Sequence, residues 1–275
     1  MLSLYIYIMI ISSSLKNIKN INLIKKKIPL RMITNPLPGV DIGIPLTIFQ
    51  QTYSSLHYGS TFINLKGILI QYIVGFYAYG GDRYLDAQLY QHLPFNSTKT
   101  ELYEYINDNS SNIGFSLFLS KILIFFILSD NLLLYSPFLI TIETIPYYNE
   151  IKKNIGVFKP FYIAILWTAS AILLPSIIND QNYSILLYPL DYLPCTLTLF
   201  AASNFADIKD IEEDKINKID TLPVVYGEIN SKMISLFSLF LSSLMIAFNP
   251  HFMDSQNVAS FLEVQNALIS IISLI

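Results

Sequence analysis

The stretch LLYPLDYLPCTLTLFAASNFADIKDIEED, residues 186–214, joins an apolar run to a short segment crowded with carboxylates. The apolar part is long enough for a helix that crosses the ~30 Å hydrocarbon core of a bilayer, which takes about 20 residues. The carboxylates that follow belong in water or against cations. The stretch therefore predicts a membrane helix that ends in a charged segment at one surface.

The composition of the whole chain agrees with a lipid environment. Charged residues make up 13% of the 275 residues, and the mean hydropathy is +0.47, whereas a soluble domain carries about 25% charged residues. We expect an integral, multi-pass membrane protein whose main partner is the lipid bilayer. No basic stripe with interleaved aromatics points to nucleic acid, which excludes that class. The lone Cys195 excludes an intrachain disulfide.

Apolar runs predict an all-α fold, a polytopic transmembrane helical bundle of about eight spans. Short connections with little charge alternate with longer ones that carry Lys, Arg, Asp and Glu. The predicted spans are residues 38–56, 61–80, 113–129, 131–147, 160–178, 186–204, 232–248 and 258–275.

The distribution of positive charge supports this drawing of the spans. Every Lys and Arg except Lys66 and Lys121 then falls on the face that holds the N-terminus and the loops after spans two, four and six. Lys66 lies near the end of its span and can reach the interface. Lys121 lies nearer the middle, where a charge is costly and often faces a polar interior, so it is a candidate binding residue.

Residues 1–37 form a separate segment from the predicted transmembrane domain at residues 38–275. The segment is apolar at its start, then basic, and contains no acidic residue. A targeting segment for a plastid membrane reached through the secretory route has this composition. A basic tail that flanks a membrane helix has it too, and both interpretations remain open.

The charged end of span six carries Asp207, Asp210 and Asp214 at spacings of three and four residues. This spacing predicts that the three carboxylates share one stripe of a helix. Like charges on one stripe repel unless a cation neutralises them, and such oxygen ligands suit Mg²⁺ held together with substrate phosphates. A solvated charged loop is the plainer interpretation of the run.

A second acidic pair, Asp82 and Asp86, follows Gly80 and Gly81 at the end of span two. The spacing of four residues places both carboxylates on one helical face. The distribution of charge puts this pair on the same side of the membrane as Asp207. Two acidic stripes at that surface can hold two Mg²⁺ ions and a diphosphate between them.

A third element, YYNEIKKNIGVFK at residues 147–159, lies in the loop after span four and on that same face. Tyr148 precedes Lys152 by one helical turn, and Lys153 follows directly. These lysines can stabilise a departing diphosphate. Taken alone, the pair is an ordinary sign of a loop on the positive side of the membrane.

Together the three elements resemble the UbiA superfamily of intramembrane prenyltransferases. The family carries an N/DxxxDxxxD motif after its second helix, YxxxK after the fourth and DxxDxxxD after the sixth. DIKDIEED with the following TLPVVYG is similar to the last motif, and Tyr148 with Lys152 is similar to the second. Asp82 and Asp86 match the first motif in part, because Ala78 stands at its first position.

The resemblance implies a fold of nine transmembrane helices around a central cavity, with the Asp motifs at its polar mouth. Eight spans can be drawn here, and the sequence ends in the apolar ISIISLI. We therefore expect a UbiA-like bundle in which the ninth helix is missing.

The activity that the resemblance implies is Mg²⁺-dependent transfer of a prenyl group from an isoprenyl diphosphate to a lipophilic aromatic or porphyrin-type acceptor, as in quinone, tocopherol or chlorophyll biosynthesis. The expected catalytic residues include Tyr148 and Lys152 beside the metal ligands, which are Asp82, Asp86, Asp207, Asp210 and Asp214. The residues expected to bind substrate are Arg83, Lys153, Lys209 and Lys121.

An alternative is a non-catalytic UbiA-like paralogue that acts as a membrane scaffold or binds lipid. Ala78 and the missing span favour this alternative, whereas the complete last motif and the retained Asp82 and Asp86 oppose it.

Overall fold

A computed structural model describes residues 43, 46–53, 65–89, 97–180 and 184–249. These residues are helical apart from short turns and connections, and they contain no strand, which confirms the all-α prediction. The N-terminal segment 1–37 and the predicted span 258–275 lie outside the described residues.

The α-helices are numbered here in chain order, and residues 46–53 form a further helical segment before them. A π-helical turn, Ala169–Leu173, connects α6 and α7 without a break in the helical path. The numbered helices are α1 Leu65–Leu89, α2 Ser97–Asp108, α3 Ser110–Ile127, α4 Leu132–Glu143, α5 Tyr148–Ile155, α6 Lys159–Thr168, α7 Leu174–Asp180, α8 Pro189–Lys209, α9 Ile211–Ile216, α10 Leu222–Tyr226 and α11 Glu228–Phe248.

Helix α11 is polar on its inner face and apolar on its outer face. Its inner face packs against α8, and Ser242 there lies 2.9 Å from the hydroxyl of Thr198 while Ser235 accepts a hydrogen bond of 2.8 Å from Asn204. The outer face exposes Phe237 and Phe240 to the extent of 65% and 60%. A soluble helix has the opposite arrangement. This inversion fits a helix whose solvent is lipid and whose small residues allow close helix packing.

Three helical stretches are long and apolar enough to cross a membrane: Ser110–Ile127, Ser129–Ile178 and Glu228–Phe248. The second stretch is not one straight helix, because it contains α4 to α7 and the turns between them. Its first and last helices, α4 and α7, pack against each other, so the chain reverses direction within it. The chain is therefore a membrane protein with several apolar helices.

The helices at predicted spans two and six, α1 and α8, are long but less apolar than those three stretches. Each buries polar side chains, such as Gln71 in α1 and Thr198 and Asn204 in α8. These two helices lie inside the bundle, where polar groups find partners in neighbouring helices. The polar side chains that make these hydrogen bonds lower the mean hydropathy of α1 and α8, so a span prediction ranks both helices below the three apolar stretches.

Prolines and the π-helical turn leave backbone carbonyls for side chains of other helices. Pro194 has no N–H, so the carbonyl of Leu190 has no donor within α8 and accepts instead from Asn249 at 3.2 Å. At the π-helical turn, Gln71 donates to the carbonyl of Ser170 at 2.9 Å. Gln50 donates to the carbonyl of Trp167 at 3.3 Å. These contacts tie α8 to the end of α11, and residues 46–53 and α1 to Trp167 and Ser170, which also line the cavity described below.

The carboxylates after span six do not continue one helix. Helix α8 ends at Lys209, Asp210 has φ −98° and ψ 10°, and α9 begins at Ile211. The prediction that Asp207, Asp210 and Asp214 share one unbroken stripe is therefore wrong at Asp210. The break turns α9 so that Asp214 is buried and accepts a hydrogen bond from Thr221, while Asp210 stays partly exposed.

Candidate functional site

The last turns of α1 carry a buried ion pair with α5. Lys152 Nζ lies 3.2 Å from Asp86 Oδ1 and 3.8 Å from Asp82 Oδ1. The same ammonium lies 5.6 Å from the centre of the Tyr148 ring, one turn earlier on α5. The sequence predicted both pairs on the same face of the membrane as parts of one site, and the structure brings the two pairs together across α1 and α5.

The end of α8 carries a second buried ion pair, this time with the start of α6. Lys159 Nζ lies 2.6 Å from Asp207 Oδ1, and both residues are buried. Asp214 is buried close by, where its Oδ2 accepts a hydrogen bond of 3.0 Å from the hydroxyl of Thr221. Against the effect of burial, the positive charge of Lys159 lowers the pKa of Asp214 as well as that of Asp207.

The two ion pairs belong to one electrostatic unit. Burial raises the pKa of the Tyr148 hydroxyl, and the charges of Asp82 and Asp207 both raise it further. Burial raises the pKa of Asp207, and the charge of Lys152, which pairs with Asp86, contributes to lowering it. The carboxylates of α1 and of the α8–α9 segment, which are far apart in the sequence, therefore converge around the short segment 148–159.

Burial dominates the protonation of the carboxylates at this site. Burial, with the charge of Asp82, raises the pKa of Asp86 to about 7 against the opposing effect of Lys152. Burial also raises the pKa of Asp214 to about 6, although Lys159 acts in the other direction. Burial and the charge of Asp86 raise the pKa of the Tyr103 hydroxyl on α2. Such shifts are common at functional sites.

Several buried polar atoms at the site have no hydrogen-bond partner within the described part of the chain. They include Oδ1 of Asp82, Oδ2 of Asp207 and both amide atoms of Asn149 on α5. Buried polar groups are nearly always paired in native proteins, and exceptions call for an explanation such as an ion or a ligand. One of these carboxylate oxygens belongs to the first acidic cluster, Asp82 and Asp86, and the other to the second acidic cluster, Asp207 and Asp214.

An apolar cavity of about 110 Å³ opens beside the first cluster. Asp82 and Tyr148 line one part of it, and the rings of Tyr79 and Trp167 stack within it at 5.5 Å between centroids. Ser170 of the π-helical turn also lines the cavity. The cavity therefore offers an apolar space with aromatic faces, and it meets the first cluster at the carboxylate of Asp82. Its lining residues are Val74, Ala78, Tyr79, Asp82, Phe138, Thr141, Ile142, Ile145, Tyr148, Tyr162, Ile163, Leu166, Trp167 and Ser170.

The carboxylates of the site can supply only part of the ligand shell of Mg²⁺. Among the described residues, no group of three or more His, Cys, Asp or Glu side chains is arranged to hold a metal ion. Mg²⁺ usually needs only one or two carboxylates when substrate phosphates complete its octahedral shell. The open oxygens of Asp82 and Asp207 fit that mode of binding, so the residues fit a metal that arrives with a phosphate ligand.

The remaining residues predicted to bind substrate lie in different surroundings. Lys153 and Lys209 are exposed and Arg83 is half-buried near Asp82 in α1. Lys121 is elsewhere: its Nζ lies 2.7 Å from Glu143 Oε2, in an ion pair between α3 and α4. The structure therefore does not bring Lys121 into the acidic clusters.

Sequence reasoning missed Lys159 as a site residue and counted it only among the basic residues of one face. The signal that was present is its position seven residues after Lys152, in the same short segment. Its role depends on the turn between α5 and α6. Gly156 has φ +51° there, a conformation that favours glycine. Tyr103 was missed as well, because nothing local in the sequence links it to the carboxylates, and Thr221 was noted only as the first residue of TLPVVYG and not as a partner of Asp214.

The chain matches no family model, no curated protein and no solved structure.

Proposed function

We propose that the chain is a membrane-embedded enzyme that transfers a prenyl group from an isoprenyl diphosphate to a lipophilic aromatic or porphyrin-type acceptor, with Mg²⁺ as cofactor. The observation that carries the proposal is the convergence of two acidic clusters and two buried lysines beside an apolar cavity, which Asp82 of the first cluster lines. An isoprenyl diphosphate has the matching polarity, with a highly charged head and an apolar tail.

The charged residues suit the head of that donor. Asp82 and Asp86 on one side, and Asp207 and Asp214 on the other, would hold Mg²⁺, which supplies positive charge to the diphosphate. Lys152 and Lys159 bring two ammonium groups that can donate to phosphate oxygens. Their charge favours the state in which the C–O bond has broken and its electron pair has moved to the leaving diphosphate.

The cavity suits the prenyl group and the bond that replaces the C–O bond. Breaking the C–O bond leaves an allylic cation, and the stacked faces of Tyr79 and Trp167 offer it a negative π surface. The apolar lining excludes water that would otherwise trap the cation. The acceptor carbon or oxygen attacks the cation and then loses its proton, which completes the transfer.

A non-catalytic protein that binds lipid is the second candidate. The feature that favours it is Ala78, which lines the cavity at a position where the first motif of the UbiA superfamily has an Asn or Asp. That motif therefore supplies only two polar side chains here.

A product assay with matched variants separates the two candidates. Membranes that contain the protein are incubated with Mg²⁺, isoprenyl diphosphates of several lengths and a panel of phenolic and porphyrin acceptors, and product masses identify both substrates. Asp207→Asn and Asp82→Asn should lower product formation by at least about 100-fold, because each removes a charge needed in the transition state. Asp191→Asn, on the same helix as Asp207 and equally buried, is the control. Absence of any prenylated product from the wild type, or full activity of Asp207→Asn, contradicts the proposal.

A further inference from the structure

Each acidic cluster is paired with one lysine in the structure. Lys152 pairs with Asp86 and Asp82, and Lys159 pairs with Asp207. Both lysines are buried, with 7% and 8% of their surface exposed. The ammonium groups therefore take one oxygen of Asp86 and one of Asp207, on the same side chains that would hold a divalent cation.

A cation and an ammonium group cannot both neutralise the same buried carboxylate without cost. If Mg²⁺ replaces Lys159 at Asp207, the ammonium is left buried beside a divalent cation and without its anion. An uncompensated buried charge is strongly unfavourable. Removal of the lysine from the carboxylate becomes favourable only when another anion accepts its hydrogen bonds, and phosphate oxygens are strong acceptors for this purpose.

We propose that Lys152 and Lys159 keep the two acidic clusters closed to a divalent cation until a diphosphate draws their ammonium groups onto its own oxygens, so that the cation and the diphosphate bind cooperatively. The inference rests on the proposed function, because it concerns the same site and the same head group. Two oxygens give the arriving cation its first ligands: Oδ2 of Asp207, and Oδ1 of Asp82, which lies 3.8 Å from the Lys152 ammonium but has no hydrogen bond within the described residues.

The exchange has a measurable thermodynamic consequence. If the diphosphate raises the affinity for the cation, the cation must raise the affinity for the diphosphate by the same factor. Part of that factor comes from direct attraction between the two ligands, and part from the release of the lysines. Only the second part should depend on Lys152 and Lys159.

The test uses the full-length chain in lipid nanodiscs with Mn²⁺ and inorganic pyrophosphate as probes. Mn²⁺ prefers the same oxygen ligands as Mg²⁺ and is visible by electron paramagnetic resonance. Empty nanodiscs with the same additions correct for Mn²⁺ held by pyrophosphate in solution. The variants are Lys152→Met, Lys159→Met and Lys159→Arg. Lys66→Met is the matched control, because Lys66 pairs with Asp130 rather than with either cluster.

For the wild type we expect weak binding of Mn²⁺ alone and an increase in affinity of about tenfold or more with pyrophosphate. Lys159→Met should bind Mn²⁺ alone more tightly than the wild type and show a smaller increase with pyrophosphate, and Lys152→Met should change in the same direction. Lys159→Arg should restore most of the increase, and Lys66→Met should match the wild type.

If Lys159→Met is less stable than the wild type, thermal unfolding still tests the inference. Its melting temperature, measured with and without Mg²⁺ but without pyrophosphate, should rise more on addition of Mg²⁺ than that of the wild type, because the cation replaces the missing charge. An equal rise in both proteins, or an unchanged pyrophosphate effect in both methionine variants, overturns the inference alone. Failure of the wild type to bind Mn²⁺ even with pyrophosphate overturns the inference and the proposed function together.

Discussion

Asp191 and Asp207 lie near opposite ends of the same helix, α8, and they are equally buried, with 3% of their surface exposed. Their carboxylates lie about 24 Å apart along the helix axis. Asp191 Oδ1 accepts a hydrogen bond of 3.0 Å from Asn249, whose amide also satisfies the Leu190 carbonyl that Pro194 leaves open. Asp207 has a charged partner in Lys159, and its Oδ2 has no hydrogen bond to any residue that the structure describes.

The difference separates a carboxylate that joins helices from one that has an oxygen left for a ligand. Asn249 at the end of α11 and the helical segment 46–53, through Tyr53, both hydrogen-bond to Asp191, the latter at its backbone carbonyl at 2.9 Å. These contacts fix the positions of three helical segments relative to one another. The surroundings of Asp207 contain instead an ammonium group, an open oxygen and a second acidic cluster. Equal burial therefore accompanies two different sets of contacts, and burial alone does not distinguish them.

The largest effect on stability should follow from Lys159→Met. The change leaves the carboxylate of Asp207 buried without its cation, and loss of one partner of a buried ion pair costs about 3–5 kcal/mol. Thermal unfolding in detergent measures the loss. The double variant Lys159→Met with Asp207→Asn should recover much of it, since no buried charge remains. Equal stability of Lys159→Met and the wild type would contradict the buried ion pair.

The pH dependence of stability should come next in size. The pKa of Asp86 is raised to about 7 and that of Asp214 to about 6, from an ordinary value of 3.8. Between about pH 4 and pH 7 the folded state then binds more protons than the unfolded state, so the free energy of unfolding falls as the pH rises. We expect the ligand-free protein to be about 4 kcal/mol more stable at pH 5 than at pH 8, with the larger share from Asp86.

The variant Asp86→Asn tests the origin of this dependence. The amide does not titrate, so the difference in melting temperature between pH 5 and pH 8 should shrink markedly. If the difference stays as large as in the wild type, groups other than Asp86 cause it.

The turn at Gly156 tests how the lysine reaches Asp207. A methyl group at this position would lie 3.1 Å from the backbone oxygen of Asp220, in addition to the strain of φ +51°. Gly156→Ala should therefore cost about 1–2 kcal/mol and weaken the binding of pyrophosphate with Mn²⁺. Gly227→Ala is the control, because Gly227 also has positive φ, +82°, but has open space around it. If Gly156→Ala and Gly227→Ala lower the free energy of unfolding equally, the contact with Asp220 does not contribute to the loss of stability.

The sequence predicted the helical fold and one half of the site for a physical reason. Hydropathy and helical spacing are local properties, so the helices and the shared face of Asp82 and Asp86 follow from residues close in the chain. The pairing of Tyr148 with Lys152 is local in the same way, and the structure shows the ammonium over the ring.

The other half of the site depends on contacts between distant residues. The spacing of Asp207, Asp210 and Asp214 suits a continuous helix, but α8 ends before Asp210 and the stripe is broken. The pairing of Lys159 with Asp207 depends on the turn at Gly156 and on the packing of α6 against α8. The placement of Lys121 was inferred from its cost in lipid alone, and that cost is met by Glu143 on the neighbouring helix.

The smallest effect should follow from Asp191→Asn, the counterpart of a change at Asp207. The substitution keeps the shape of the side chain and its ability to accept from the Asn249 amide. We expect a change in unfolding free energy of about 1 kcal/mol or less, since a neutral acceptor replaces a charged one in a single hydrogen bond. Thermal unfolding measures the change, and Mn²⁺ binding with pyrophosphate should stay at the wild-type value. A loss of that binding comparable to the loss in Asp207→Asn would mean that the two ends of α8 are not separate in function, and the distinction between a joining carboxylate and a ligand-binding one would fail.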